Sequence, residues 1–284
     1  MRIDSHQHFW NYNPAEYPWI TDRLDRIRRD FLPPDLESEL ANAKLDGSVV
    51  VQARQTLEET RWLLQIADHY PSIKGVVGWV DLRSAAVREQ LAEFARHPKF
   101  VGVRHVVQDE PDDRFALRED FMRGLALLRD FGLTYDLLVY PKQLPAAIEL
   151  ARRFPDQPFV LDHLAKPFIQ DRTLAPWDDH IKQLGQCPNV CCKISGMVTE
   201  AAWGQWKRAD FQPFLDTVFS AFGEHRLMFG SDWPVCLLSG TYQEVYGIID
   251  SYLRGQPLSI RERIWGGNAA QFYGLKQESA VENR

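Results

Sequence analysis

The chain has 284 residues, of which 45% are hydrophobic and 25% charged, a balance that places it among globular proteins and argues against a disordered or fibrous chain. Its formal net charge is -6, with Lys and Arg spread along the chain rather than grouped, so there is no footprint for a polyanion and nucleic acid is not expected as a partner. No apolar run approaches the ~20 residues that a bilayer span needs, so no membrane association is expected.

In chain order, strand-like runs alternate with helical patterns. The first run, Arg2–His8, stands at the start of the sequence and leaves no room there for a charged-then-apolar leader. Further strand-like runs follow at Ser48–Arg54, Gly75–Leu82, Val101–Val107, Thr134–Tyr140, Phe159–His163, Val190–Ser195 and Leu227–Gly230. Most are apolar on both faces, as parallel strands are when helices cover them outside and side chains pack inside. Helical patterns separate them: Asp35–Leu45 after Pro33-Pro34, then Leu57–Ala67, Val87–Ala95, Asp120–Phe131, Leu144–Phe154, Trp177–Leu184 and Phe211–Phe222. Eight strands with seven helical patterns, roughly eight β-then-α units, predict an α/β fold, a distorted (β/α)8 TIM barrel that takes residues 1–275 as a single domain. The rival, a doubly wound open sheet, favours a Gly-rich first turn, and none follows the first strand. Residues 276–284 are polar and expected to fray. Cys187, Cys191, Cys192 and Cys236 are too few and too grouped for a secreted disulfide framework, and Cys191-Cys192 reads as a pair of small core residues. A cytoplasmic location is expected.

Three connections are longer than a turn requires: Phe9–Pro33, Ala165–Pro176 and Gly196–Asp210. All follow strand C-termini, where barrel sites are built, and all carry aromatics; long loops there read as lids or binding walls. The strand ends themselves are polar. The first offers His6 and His8, two residues apart and so on one face of a strand, with Asp4 expected on that face one layer deeper. Gln52 and Arg54 end the second, Trp79 and Asp81 the third, Arg104 and His105 the fourth, Asp162 and His163 the sixth, Lys193 and Ser195 the seventh, and Asp232 follows the eighth. Taken singly, His163 reads first as a hydrogen-bonded core histidine, and Asp232 reads equally as a turn residue or helix cap after the strand. Together, three imidazoles and a carboxylate from strands one, six and eight fit metal-assisted or histidine-assisted hydrolysis, since neutral imidazoles bind a cation such as Zn²⁺ and a carboxylate can deprotonate water.

The segments Ile3-Asp-Ser-His-Gln-His-Phe-Trp10, Val160-Leu-Asp-His-Leu-Ala-Lys-Pro167 and Leu227-Met-Phe-Gly-Ser-Asp-Trp-Pro234 resemble the amidohydrolase superfamily, in particular its sugar-lactonase branch. The resemblance runs on to Trp265-Gly-Gly-Asn-Ala-Ala-Gln-Phe-Tyr273. It implies a metal set drawn from His6, His8, His163 and Asp232, and a lactone such as L-fucono- or L-rhamnonolactone as substrate. Two-metal members use a modified lysine on the fourth strand and a histidine on the fifth. This chain has Arg104-His105 on the fourth and no histidine in Thr134–Tyr140, which implies one divalent ion, zinc first, or none, and no organic cofactor. Asp232 is then the base that activates water, and His163 the leading donor to the oxyanion. A lactone, being an activated ester, can be opened with less electrophilic help than an amide.

Groups that would bond or stack on sugar are Arg54, Arg104 and Trp79, with Trp10 and Trp233 as walls; ordinary packing or a structural ion pair is the competing account for each. Two other functions fit the same barrel: a decarboxylase of an aromatic or unsaturated acid, for which Arg54 and Arg104 also suit, and a non-catalytic sugar-acid binding protein. The second expects loss of a histidine or the acid, and all four remain. The oligomeric state, a homo-oligomer included, is not written in these patterns.

Overall fold

The computed structural model describes residues 1–276; of the expected tail, residues 277–284 lie outside the described residues. Eight strands pair in parallel in sequence order. They are β1 (Ile3–Gln7), β2 (Gly47–Val51), β3 (Ile73–Gly78), β4 (Phe100–His105), β5 (Thr134–Leu137), β6 (Phe159–Leu161), β7 (Val190–Ile194) and β8 (Leu227–Phe229). Backbone bonds from Asp232 to His6 (2.9 Å) and from His8 to Trp233 (2.7 Å) bring the segment after β8 back onto β1 and close the cylinder at its C-terminal rim. Register shifts in the first three ladders distort it.

Helices α1 (Pro33–Ala43), α2 (Leu57–His69), α3 (Val87–Phe94), α4 (Glu119–Leu125), α5 (Leu144–Arg153), α6 (Trp177–Gly185), α7 (Arg208–Phe222) and α8 (Tyr242–Tyr252) follow the successive strands, with the short α9 (Leu258–Glu262) and α10 (Asn268–Tyr273) after them. None is long and apolar enough to cross a membrane, among the described residues. Pro33 and Pro34 lie inside the first turn of α1, where a missing N–H costs nothing. The fourth helix is shorter than its pattern: a separate 3₁₀ turn takes Leu128–Phe131, and Gly124, a weak helix former, lies against the Leu82 carbonyl.

Several strands also stop short of their apolar runs, because side chains of the next helical segment take over the backbone donors. Ala53 and Arg54 give their N–H groups to the Glu59 carboxylate (3.0 and 2.9 Å), Trp79 to the Thr60 hydroxyl (2.8 Å), Asp81 to Gln90 (3.0 Å) and Tyr140 to Gln143 (2.9 Å). Each substitution keeps a donor paired while releasing the chain to form a rim.

The main core lies between strands and helices. A second apolar cluster, Ile3, Val49, Val51, Val77, Val101, Val160 and Met228, meets Ala269 and Tyr273 of α10. Above that layer the interior turns ionic. All four cysteines are free, and all but the half-buried Cys191 are buried.

Candidate active site

β1 presents two imidazoles together: the Nε2 atoms of His6 and His8 lie 3.2 Å apart. Asp232 Oδ1 stands 3.4 Å from His8 Nε2, 3.9 Å from His6 Nε2 and 3.8 Å from His163 Nε2. All four residues are buried. His163 (φ 53°) and Asp232 (φ 57°) occupy the left-handed region, which costs a residue with a Cβ about 1–2 kcal/mol. Both turn off their strands and face the barrel mouth as a result. Two glycines make room: a Cβ on Gly196 would stand 2.7 Å from the His163 ring, and one on Gly230 2.8 Å from His6 Cβ.

Beneath the imidazoles lies a layer of buried charge. Asp162 reaches His6 Nδ1 (3.3 Å), Lys193 Nζ (3.0 Å) and Arg104 (3.1 Å), and Lys193 Nζ also meets Asp136 (2.5 Å) and His6 Nδ1 (3.0 Å). Tyr273 donates to Asp136 from below (2.9 Å). Burial opposes charge on Asp162, but Lys193, His6 and Arg104 outweigh it and hold that carboxyl well below its usual range. Burial lowers His6, His8 and His163, helped at His6 by Lys193, so all three imidazoles are neutral near pH 7. Burial would also raise Asp232; His163, His8 and Lys166 reverse this and keep it below the ordinary carboxylate range.

Among the described residues, two groups of side chains bring ligand atoms within 4.8 Å of one another: His6, His8 and Asp232, and His6, Asp162 and His163. The first suits a divalent ion. The Nδ1–H of His8 donates to Val51 O (2.8 Å), leaving its Nε2 lone pair toward Asp232. His6 Nδ1 lies between Asp162 Oδ1 (3.3 Å) and Lys193 Nζ (3.0 Å); in the tautomer that gives its proton to Asp162, the His6 Nε2 lone pair is available beside that of His8.

A cavity of about 430 Å³ opens over this floor, and His8, His163, Asp232, Arg54 and Arg104 line it. Arg54 is paired with Glu16 and lies over the Tyr17 ring. Arg104 is committed to Asp162 and the Gln52 carbonyl, leaving part of its guanidinium at the wall. Trp10, Trp79 and Trp233 lie away from this wall. Trp10 is core, enclosed by Tyr17, Trp19 and Phe31, and Trp233 packs on Phe9 and Phe31. Trp79 donates to His105, whose other nitrogen meets Glu110 at 2.7 Å. The aromatic wall is Trp19, from the long loop after β1. Asp4 also departs from its expected place: Tyr242 of α8 donates to it (3.0 Å), as does the Ser231 N–H (2.9 Å). The β1–β2 ladder shifts register between Asp4 and Gln7, so simple alternation does not carry from Asp4 to His6. Pattern reading passed over Lys166, Glu16 and Asp136. Lys166 stands in the segment Val160–Pro167 and Asp136 is a charge inside the apolar run Tyr135-Asp136-Leu137, whereas Glu16 carries no signal.

The barrel with three histidines and an aspartate gathered at its C-terminal rim is the arrangement of a hydrolase of the amidohydrolase kind. A family model described as amidohydrolase matches residues 3–275, and the chain belongs to that family. It is 43% identical to an L-fucono-1,5-lactonase of Burkholderia multivorans over 98% of this chain and 97% of that protein. It is 38% identical to an L-fucono-1,5-lactonase of Burkholderia ambifaria over 100% and 99%. A crystal structure of an amidohydrolase from Burkholderia multivorans with bound zinc superposes with a TM-score of 0.93 at 42% identity, covering 97% of this chain and all of that one.

Proposed function

We propose that the protein hydrolyses a sugar-derived lactone, of the L-fucono-1,5-lactone type, to the sugar acid. The observation that carries this reading is the meeting of one ionised carboxylate, Asp232, with three neutral imidazoles at the floor of a cavity large enough for one sugar ring. The two full-length relatives named as lactonases support the substrate class.

Asp232 acts as general base. Water beside it adds its oxygen to the lactone carbonyl carbon as Asp232 takes the proton. The negative charge that forms on the carbonyl oxygen meets His163 in the tautomer whose Nδ1 accepts from the Ser195 hydroxyl, 2.9 Å away, and whose Nε2 carries the proton. The ring C–O bond then breaks, and Asp232 returns its proton to the leaving oxygen, giving a hydroxy acid that ionises. His6, His8 and Asp232 are the residues that would hold one zinc ion, and such an ion would supply Lewis-acid polarisation of the carbonyl. Trp19 offers a flat face for the apolar side of the sugar, and Arg54 offers donors for its hydroxyls.

The test is a panel of aldonolactones, with L-fucono-, L-rhamnono- and L-galactonolactones included, read by acid release and run beside a panel of aromatic acids read by CO₂ release. Acid release from a deoxysugar or sugar lactone is the expected result. CO₂ release without lactone opening would replace this reading with the decarboxylase one.

A further inference from the structure

His163, Leu164, Ala165 and Lys166 are four consecutive residues with φ between 51° and 60°, a left-handed turn closed by the Lys166 N–H on the His163 carbonyl (2.7 Å). No glycine relieves it. Left-handed backbone in residues with a Cβ persists only where the surroundings fix it. This turn brings two side chains to the same cavity, the His163 imidazole and the Lys166 ammonium, both of which line it.

The cations around that cavity differ in what they already hold. Arg54 has Glu16, and Arg104 has Asp162. Lys166 is half-buried, with Nζ over the Tyr140 ring at 5.5 Å, and among the described residues no carboxylate forms an ion pair with it. Its field still reaches Asp232, His163 and Glu200. It is a positive charge with no carboxylate ion pair among the described residues, on the wall of the cavity that His163 and Asp232 also line.

We propose that Lys166 is a catalytic residue of this site: its ammonium donates to the reacting end of the lactone and pairs with the carboxylate that hydrolysis leaves there. The proposal rests on the lactonase reading above. A neutral lactone gains little from this charge before reaction, whereas the oxyanion and the product gain much.

The test uses the full chain and its K166M, K166Q and K166R variants, each with a melting curve matched to wild type. Acid release gives kcat and KM, and calorimetric titration gives affinity for two probes of the same carbon skeleton, anionic L-fuconate and neutral L-fucitol. If another lactone is opened faster, its aldonate and alditol take their place. K166M and K166Q should bind the aldonate about tenfold or more weakly, bind the alditol within about twofold of wild type, and lose about tenfold or more in kcat; K166R should retain aldonate binding. Equal aldonate affinity in wild type, K166M and K166Q overturns the assignment while leaving the lactonase reading in place, as does loss of aldonate binding in K166R. A wild-type chain that opens no lactone overturns both.

Discussion

Lys193 Nζ lies 2.5 Å from Asp136 Oδ2 with neither side chain exposed, and the same ammonium stands 3.0 Å from Asp162. One buried cation therefore separates two buried carboxylates directly below His6. Lys193→Met would leave those carboxylates uncompensated, and removing one partner of a buried pair typically costs about 3–5 kcal/mol. Urea denaturation should show a midpoint lowered accordingly. An unchanged midpoint would mean that this layer does not hold the floor of the site.

Glu59 predicts a stability effect with a definite pH sign. Its carboxyl accepts the N–H groups of Ala53 and Arg54 and the hydroxyl of Tyr17 (3.3 Å), tying the loop after β1 to the loop after β2. Burial raises it from 4.5 to about 7, with the two backbone donors and Arg54 opposing. Because the folded value is the higher one, its contribution is fully present below pH 4.5 and is lost as pH rises toward 7. That loss is on the order of 3 kcal/mol. Glu59→Gln removes the titration, so the variant should gain stability relative to wild type between pH 5 and pH 8. Parallel melting curves for the two proteins across that range would contradict the assignment.

The barrel was legible because its strands are apolar on both faces and its helices are punctuated by Pro and Gly. His6, His8, His163 and Asp232 were legible because each stands at the end of such a run. The strand ends were drawn too long, since sequence periodicity does not show when Glu59, Thr60, Gln90 or Gln143 intercepts a backbone donor. Trp10 and Trp233 show the limit most plainly: an indole beside a site and an indole in the core have the same residue type, and only packing separates them. The bulge that turns Asp4 toward Tyr242 leaves no mark in the pattern of Ile3–His8. The segment Val160–Pro167 stood out, but the placement of Lys166 at the cavity did not, because no composition rule predicts four left-handed residues without glycine.

The ligand geometry makes a prediction about metal. The chain should take up one zinc ion per molecule by elemental analysis after dialysis against zinc and desalting. His8→Ala should weaken that uptake by at least the roughly 10–100-fold that loss of an outer-shell partner alone costs. Zinc content equal in wild type and His8→Ala would move the ion away from the His6, His8 and Asp232 group.

The most direct measurement of the central claim is kcat/KM for lactone opening by wild type and Asp232→Asn from pH 5 to 8, with zinc content and melting curves recorded on the same samples. Held below the ordinary carboxylate range, Asp232 is ionised throughout, so wild type should show no acid limb there. Asp232→Asn, folded, should lose about 10²–10⁴-fold at every pH. A folded Asp232→Asn variant that opens lactones at the wild-type rate would contradict the account.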